Sequence, residues 1–232
     1  MLTVLAILIK FLLYASALTV IGLSLHWALK LSGDGRRIPA LLVPAGSVFL
    51  GAVALKLLVA NAQLSGSVSE AFSPDTFKWV WRPHATQTYM FVGALLALAG
   101  AAAAKWRPGA ALVALAVGVG FGTAGHVQGL ETPLLWGLLL ALHVVIAGFW
   151  FVAPLTLYPT ERMSMGEVQR RTALFSSIAV KAIPVLFVLG GLILWQLLGG
   201  LAELVTTQYG RLLTIKLVAA IILLGFGGMN IF

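Results

Sequence analysis

Residues 133–157 read PLLWGLLLALHVVIAGFWFVAPLTL, a run without one aspartate, glutamate, lysine or arginine. A helix that crosses a bilayer needs about 20 predominantly apolar residues, and this run exceeds that length. Reading outward from it, six more segments qualify. The full set is Leu5–Leu29, Ile38–Leu64, Ala85–Ala104, Gly109–Gly129, Pro133–Leu157, Ala173–Leu198 and Gly210–Ile231. Turn-forming residues fall between them: Ser32-Gly33-Asp34-Gly35, Arg107-Pro108-Gly109 and Leu198-Gly199-Gly200. Segments of alternating polarity, the mark of a membrane β-barrel, are absent from the sequence. The expected fold is all-α: a polytopic transmembrane bundle of about seven spans, forming a single integral membrane domain over residues 1–232.

Composition agrees. Of the 232 residues, 60% are hydrophobic and 9% charged, against roughly a quarter charged in ordinary globular chains. Fifteen basic and seven acidic side chains cannot cover a soluble surface of this size. Cysteine is absent, which excludes disulfides, thiolate nucleophiles, iron–sulfur clusters and Cys-ligated zinc. The net charge of +8 comes from basic residues scattered singly between apolar runs. That pattern suits membrane topology, with no nucleic-acid partner.

The basic residues set an expected orientation. Lys30, Arg36, Arg37, Lys105, Arg107, Arg162, Arg170 and Arg171 fall in the first, third and fifth connections, against Lys78, Arg82 and Arg211 in the others. Cytoplasmic loops carry the excess of Lys and Arg. The amino terminus is therefore expected outside and the carboxyl terminus in the cytoplasm. Residues 65–84 form the longest outer connection, with Trp79 and Trp81 suited to an interfacial belt. Ala15-Ser16-Ala17 is like a cleavage site, but no basic stretch precedes it and Lys10 interrupts the apolar run, so the first helix is read as uncleaved.

Ionisable residues at membrane depth are costly and mark candidate sites. Lys10, Lys56, Lys181 and Lys216 are read as snorkelling or structural. The histidines are more informative. His26 lies near the inner end of the first helix, His84 is expected to open the third, and His126 to end the fourth. His143 is placed near mid-membrane in the fifth, on a stripe with Trp136 and Trp150. His84 and His126 are expected at one rim, where they can share an ion. Helix-four glycines Gly118, Gly122, Gly125 and Gly129 are expected to draw a neighbour up to His126. Met163 and Met165 offer two thioethers in an inner loop, a soft-metal pair by type and an ordinary loop by default.

The half of the chain from residue 120 onward resembles the copper resistance protein D (CopD) family of bacterial inner-membrane proteins. Three features carry the resemblance: Gly125-His126, then Leu142-His143 with Ala147 and Trp150, and finally Tyr209-Gly210-Arg211-Leu212-Leu213-Thr214-Ile215-Lys216 with Asn230. The first half is similar only in its span pattern. Phe151-Val152-Ala153-Pro154 stands where the family usually has glycines, and the family usually has a further helix after the Asn230 region. The resemblance implies copper handling at the inner membrane and a periplasmic copper-binding partner of the CopC type.

The expected function is copper transport across the bacterial inner membrane, from periplasm toward cytoplasm, with the lipid bilayer as surroundings. Copper ion is the expected metal, held by His84, His126 and His143, and imidazole suits it. No catalytic residues and no enzyme activity are expected, and with no nucleotide-binding loop in the sequence, ATP-driven pumping by this chain alone is not expected. Two alternatives stand beside this reading, a b-type haem-binding cytochrome and a non-transporting assembly subunit.

Overall fold

A computed structural model describes residues 2–31, 37–158, 163–198, 203–206, 210–211, 214–215 and 218; among them there are helices and no strand. Two compact units divide the chain, Met1–Leu189 and Gly190–Phe232. The first unit holds α1 (Leu2–Ala28), α2 (Arg37–Ser65), α3 (Pro74–Ala103), α4 (Arg107–Gly122), α5 (Pro133–Phe151), α6 (Ala153–Leu157) and most of α7 (Met165–Leu197). Among the described residues, α1, α2, α3, α5 with α6, and α7 are five stretches long and apolar enough to cross a membrane, and α4 is a shorter apolar helix. The protein is an all-α multi-pass membrane bundle. In the second unit, α8 (Glu203–Thr206) is tied by Thr214, whose hydroxyl lies 3.1 Å from the Leu204 carbonyl. The expected seventh span lies largely outside the described residues.

Helix α1 is the centre of the first unit and packs on α2, α4 and α5. Ala17, Val20, Ile21 and Leu23 of α1 are fully buried. An aromatic column crosses the bundle at their side. Phe91 on α3 meets Phe49 of α2 at 4.9 Å and Phe121 of α4 at 5.1 Å, and Phe121 stacks on Tyr14 of α1 at 5.3 Å. Lipid is as apolar as these side chains, so their gain comes from close packing rather than from leaving water.

Small residues set the closest crossings. Gly122 of α4 lies against the backbone of Gly137 on α5, and Gly22 of α1 against that of Gly148. Gly118 meets Ala141 and Val145, whereas Gly125 and Gly129 face open space. The expectation that the helix-four glycines draw a neighbour to His126 is therefore corrected: the close approach is one to two turns below.

Two helix ends share one cap. After α1, Leu31 N–H donates to the His26 carbonyl over 2.9 Å, and after α3, Trp106 N–H donates to the Ala101 carbonyl over 2.8 Å. Each bond spans a residue in the left-handed region, Lys30 at φ 58° and Lys105 at φ 53°. Glycine is the usual occupant of that Schellman position. Here lysine takes it at both helix ends.

Helix α3 starts ten residues before His84, at Pro74, with Ser73 ahead of it and Asp75 in its first turn. Proline at N1 loses no hydrogen bond, and the acidic residue faces the positive end of the helix dipole. Buried Asn61 of α2 fixes this corner, its amide nitrogen lying 3.0 Å from the carbonyls of both Ala71 and Ser73. The connection between α2 and α3 is thus shorter than expected, and Trp79 and Trp81 ride on the helix. Helix α4 stops at Gly122 because the chain turns through Gly125 at φ 86° before a 3-10 turn, His126–Gly129.

Candidate metal-binding histidines

The four histidines separate by what their ring nitrogens touch. His84 lies on α3 directly after Pro83, which removes an amide donor and crowds the carbonyl one turn back. In this loosened turn His84 Nδ1 lies 2.9 Å from the Val80 carbonyl. A carbonyl only accepts, so Nδ1 carries the proton. Nε2 of the neutral ring then presents its lone pair. Thr88 supports the same turn by donating to the His84 carbonyl over 2.9 Å.

His143 repeats the arrangement across a helix pair. Its Nδ1 donates to the Leu186 carbonyl of α7 over 3.1 Å, again leaving Nε2 as the acceptor. The ring is half-buried. Its stripe partner Trp150 packs at 5.8 Å on Phe175 of α7. His143 and Trp150 thus face α7, and among the described residues the three site histidines do not gather into one cluster.

His126 opens the 3-10 turn that follows α4, and it is exposed. Expected in the last helical turn, it sits beyond the break that Gly125 makes. His84 and His126 nevertheless stand at one end of the bundle. Gln87, one turn deeper than His84, donates to the carbonyl of Gly120, two residues before α4 ends. Gln87 also accepts from Lys56 Nζ over 2.6 Å, so one buried amide straps α2, α3 and α4 just beneath His84. Among the described residues no three of His, Asp and Glu cluster as a metal site.

His26 contrasts with all of these. It is fully buried, Nε2 lies 3.0 Å from the Phe149 carbonyl, and Nδ1 lies 2.6 Å from Thr156 Oγ1. The neutral ring donates through Nε2 and accepts the threonine hydroxyl proton at Nδ1. Both nitrogens are occupied, so His26 is a clamp between α1 and the α5–α6 junction. Phe149 and Phe175 enclose it at 4.9 and 6.0 Å.

The methionine pair is divided. Met163 turns its sulfur to Arg171 Nη1 at 3.4 Å, while Met165 is exposed. Buried Arg171 is held by Glu167 at 2.6 Å, which also pairs with Arg170 at 2.9 Å. Among the other lysines, Lys10 and Lys181 are exposed on the bundle, and Lys216 lies outside the described residues.

The fold defines a class, a multi-pass helical membrane protein, and two of its imidazoles, His84 and His143, are held through Nδ1 by backbone carbonyls. Comparison with protein families names it. Residues 1–136 match the copper resistance protein D-like N-terminal domain, and residues 169–232 match copper resistance protein D. The chain belongs to the copper resistance protein D family and is a copper-resistance-related membrane protein. No curated protein and no solved structure matches it. The first half, expected to be similar in span pattern alone, is matched as a domain that includes His26, His84 and His126. His143 and Trp150 lie between the two matched ranges, in neither.

Proposed function

We propose that the protein carries copper across the bacterial inner membrane, from the periplasm toward the cytoplasm. One observation supports this beyond the family: Nδ1 of both His84 and His143 is committed to a backbone carbonyl. That is the outer-shell bond that orients metal-ligating histidines and fixes their tautomer. Copper is captured in this reading by His84 and His126 at one end of the bundle and meets His143 deeper in. Copper is the cargo, so the ligands need to be few and exchangeable, and two imidazoles at the mouth satisfy that better than a closed cage. The basic-residue asymmetry makes the His84–His126 end periplasmic. A soluble copper-binding protein of the CopC type is the natural donor there.

The test is copper accumulation in cells, normalised to folded protein, joined to metal analysis and a visible spectrum of the purified chain. Stoichiometric copper that falls in His84→Ala and His126→Ala supports the reading. A Soret band in copper-free protein replaces transport with haem binding. Normal accumulation in both variants removes the capture site.

A further inference from the structure

A groove of about 260 Å³ runs between α2 and α3, lined by Pro39, Val43, Gly46 and Leu50 on one side and Leu95 and Ala99 on the other. Its α2 residues recur at three- and four-residue steps, so they form one face of the helix. Two features make it concave. Gly46 contributes no side chain opposite Leu95, and Pro44 interrupts the α2 hydrogen-bond ladder beside it. It is also dry in character: the one hydroxyl on its wall, Ser47, is spent on the Val43 carbonyl at 3.0 Å. Val43 at 71% and Leu50 at 45% exposure show that the groove opens away from the bundle.

Its length is that of one leaflet. Pro39 to Leu50 covers eleven steps, roughly 16 Å at 1.5 Å per residue, about half of the ~30 Å hydrocarbon core. At its Leu50 end the two helices close on each other through Phe49 and Phe91. At its other end Ala102 completes the lining, and three residues later come Lys105, Trp106 and Arg107.

Those three residues follow directly on the groove's Ala102 end, with Lys105 and Trp106 exposed. Trp106 is 53% exposed with its ring against Gly109, as an interfacial anchor would be. Among the described residues, the ion pairs are those of Glu167 with Arg170 and Arg171, and Lys105 and Arg107 have no carboxylate partner there. Lys105 moreover holds the left-handed cap position at φ 53°, where glycine would relax the backbone.

We propose that this groove seats one acyl chain of an anionic phospholipid whose phosphate rests on Lys105 and Arg107. The apolar wall selects a chain, and the two cations select a negative headgroup over a zwitterionic one. The proposal needs no choice of membrane orientation and does not depend on copper transport.

The experiment is native mass spectrometry of the full chain released from vesicles of phosphatidylethanolamine and phosphatidylglycerol. Wild type is expected to retain one phosphatidylglycerol in preference to phosphatidylethanolamine. Lys105→Gly is expected to lower that preference about fivefold, and Arg107→Gln by a similar factor. Because glycine suits the cap, Lys105→Gly does so without a fall in Tm. Exposed Ala99→Leu is expected to block the chain and lose both lipids. Excess inorganic phosphate should leave the bound lipid in place, whereas displacement by phosphate would make this an anion site without a lipid slot. Equal retention of the two lipids by wild type, or unchanged preference in Lys105→Gly, overturns the proposal.

Discussion

His26 Nδ1 and Thr156 Oγ1 lie 2.6 Å apart, although 130 positions separate them in the chain. The threonine hydroxyl donates to the ring, and the opposite nitrogen donates to Phe149. A buried imidazole with both nitrogens satisfied has no lone pair to give a metal. His26→Ala would remove two hydrogen bonds and open a cavity among Phe149 and Phe175. The expected loss is about 2–4 kcal/mol of stability. Melting in detergent should show it, with copper bound per folded molecule at the wild-type level. Copper loss without destabilisation would make His26 a ligand after all.

His84 predicts the opposite pattern. Its ring is only half-buried, and its single described bond is to Val80 within its own helix. His84→Ala should leave Tm nearly unchanged while weakening copper binding by at least about tenfold, the lower range seen even for outer-shell changes at metal sites. Titration with Cu(I) under a competing chelator measures it. Wild-type affinity in this variant would remove His84 from the capture pair.

Gln87 is expected to act on stability first. Its amide oxygen receives Lys56 and its nitrogen serves Gly120, so Gln87→Leu leaves a partly buried ammonium and a carbonyl without their described partner. Losses of about 1–3 kcal/mol follow from stranding such groups. Lys56→Met with Gln87→Leu should recover part of the loss, because both polar partners then vanish together. A double variant no better than the single one would show that the strap is not a coupled unit.

The helix crossing at Gly122 can be separated from the glycine pattern around it. A Cβ on Gly122 would run into the Gly137 backbone, whereas one on Gly129 meets nothing within 4 Å. Gly122→Ala should sharply reduce the yield of folded protein, and Gly129→Ala should not, as judged by size-exclusion chromatography in detergent. Equal yields would move the α4–α5 contact elsewhere.

Hydropathy made the helical membrane class and the inner halves of the spans legible. It hid the first turns of α3, because Asp75, Lys78, Trp79 and Arg82 read as a connection while Pro74 and Asp75 are helix-start residues. It likewise carried the fourth span through Gly125, whose positive φ ends the helix before His126. The tautomer lock on His84 had a visible signal, proline followed by histidine in a helix with a carbonyl four residues back. The locks on His26 and His143 had none, since their carbonyls come from residues 123 and 43 positions away. Which histidines hold helices together and which keep a free nitrogen is decided by tertiary contacts.

His143 is where anchoring and coordination can be separated by choice of side chain. Its Nδ1–H holds the Leu186 carbonyl of α7, so simple deletion would disturb the α5–α7 contact and any copper path at once. Asparagine divides the two roles. Its amide nitrogen stands near the place of Nδ1 and donates to the same carbonyl, but it offers no imidazole lone pair where Nε2 was. If copper meets His143, then His143→Asn should keep stability within about 1 kcal/mol of wild type while copper accumulation per folded molecule falls at least about tenfold. His143→Ala should lose both. Trp150→Leu, which thins the packing on Phe175 without touching a ring nitrogen, should lower stability and leave accumulation per folded molecule intact. Normal accumulation in His143→Asn would assign the residue to helix anchoring and confine copper coordination to His84 and His126.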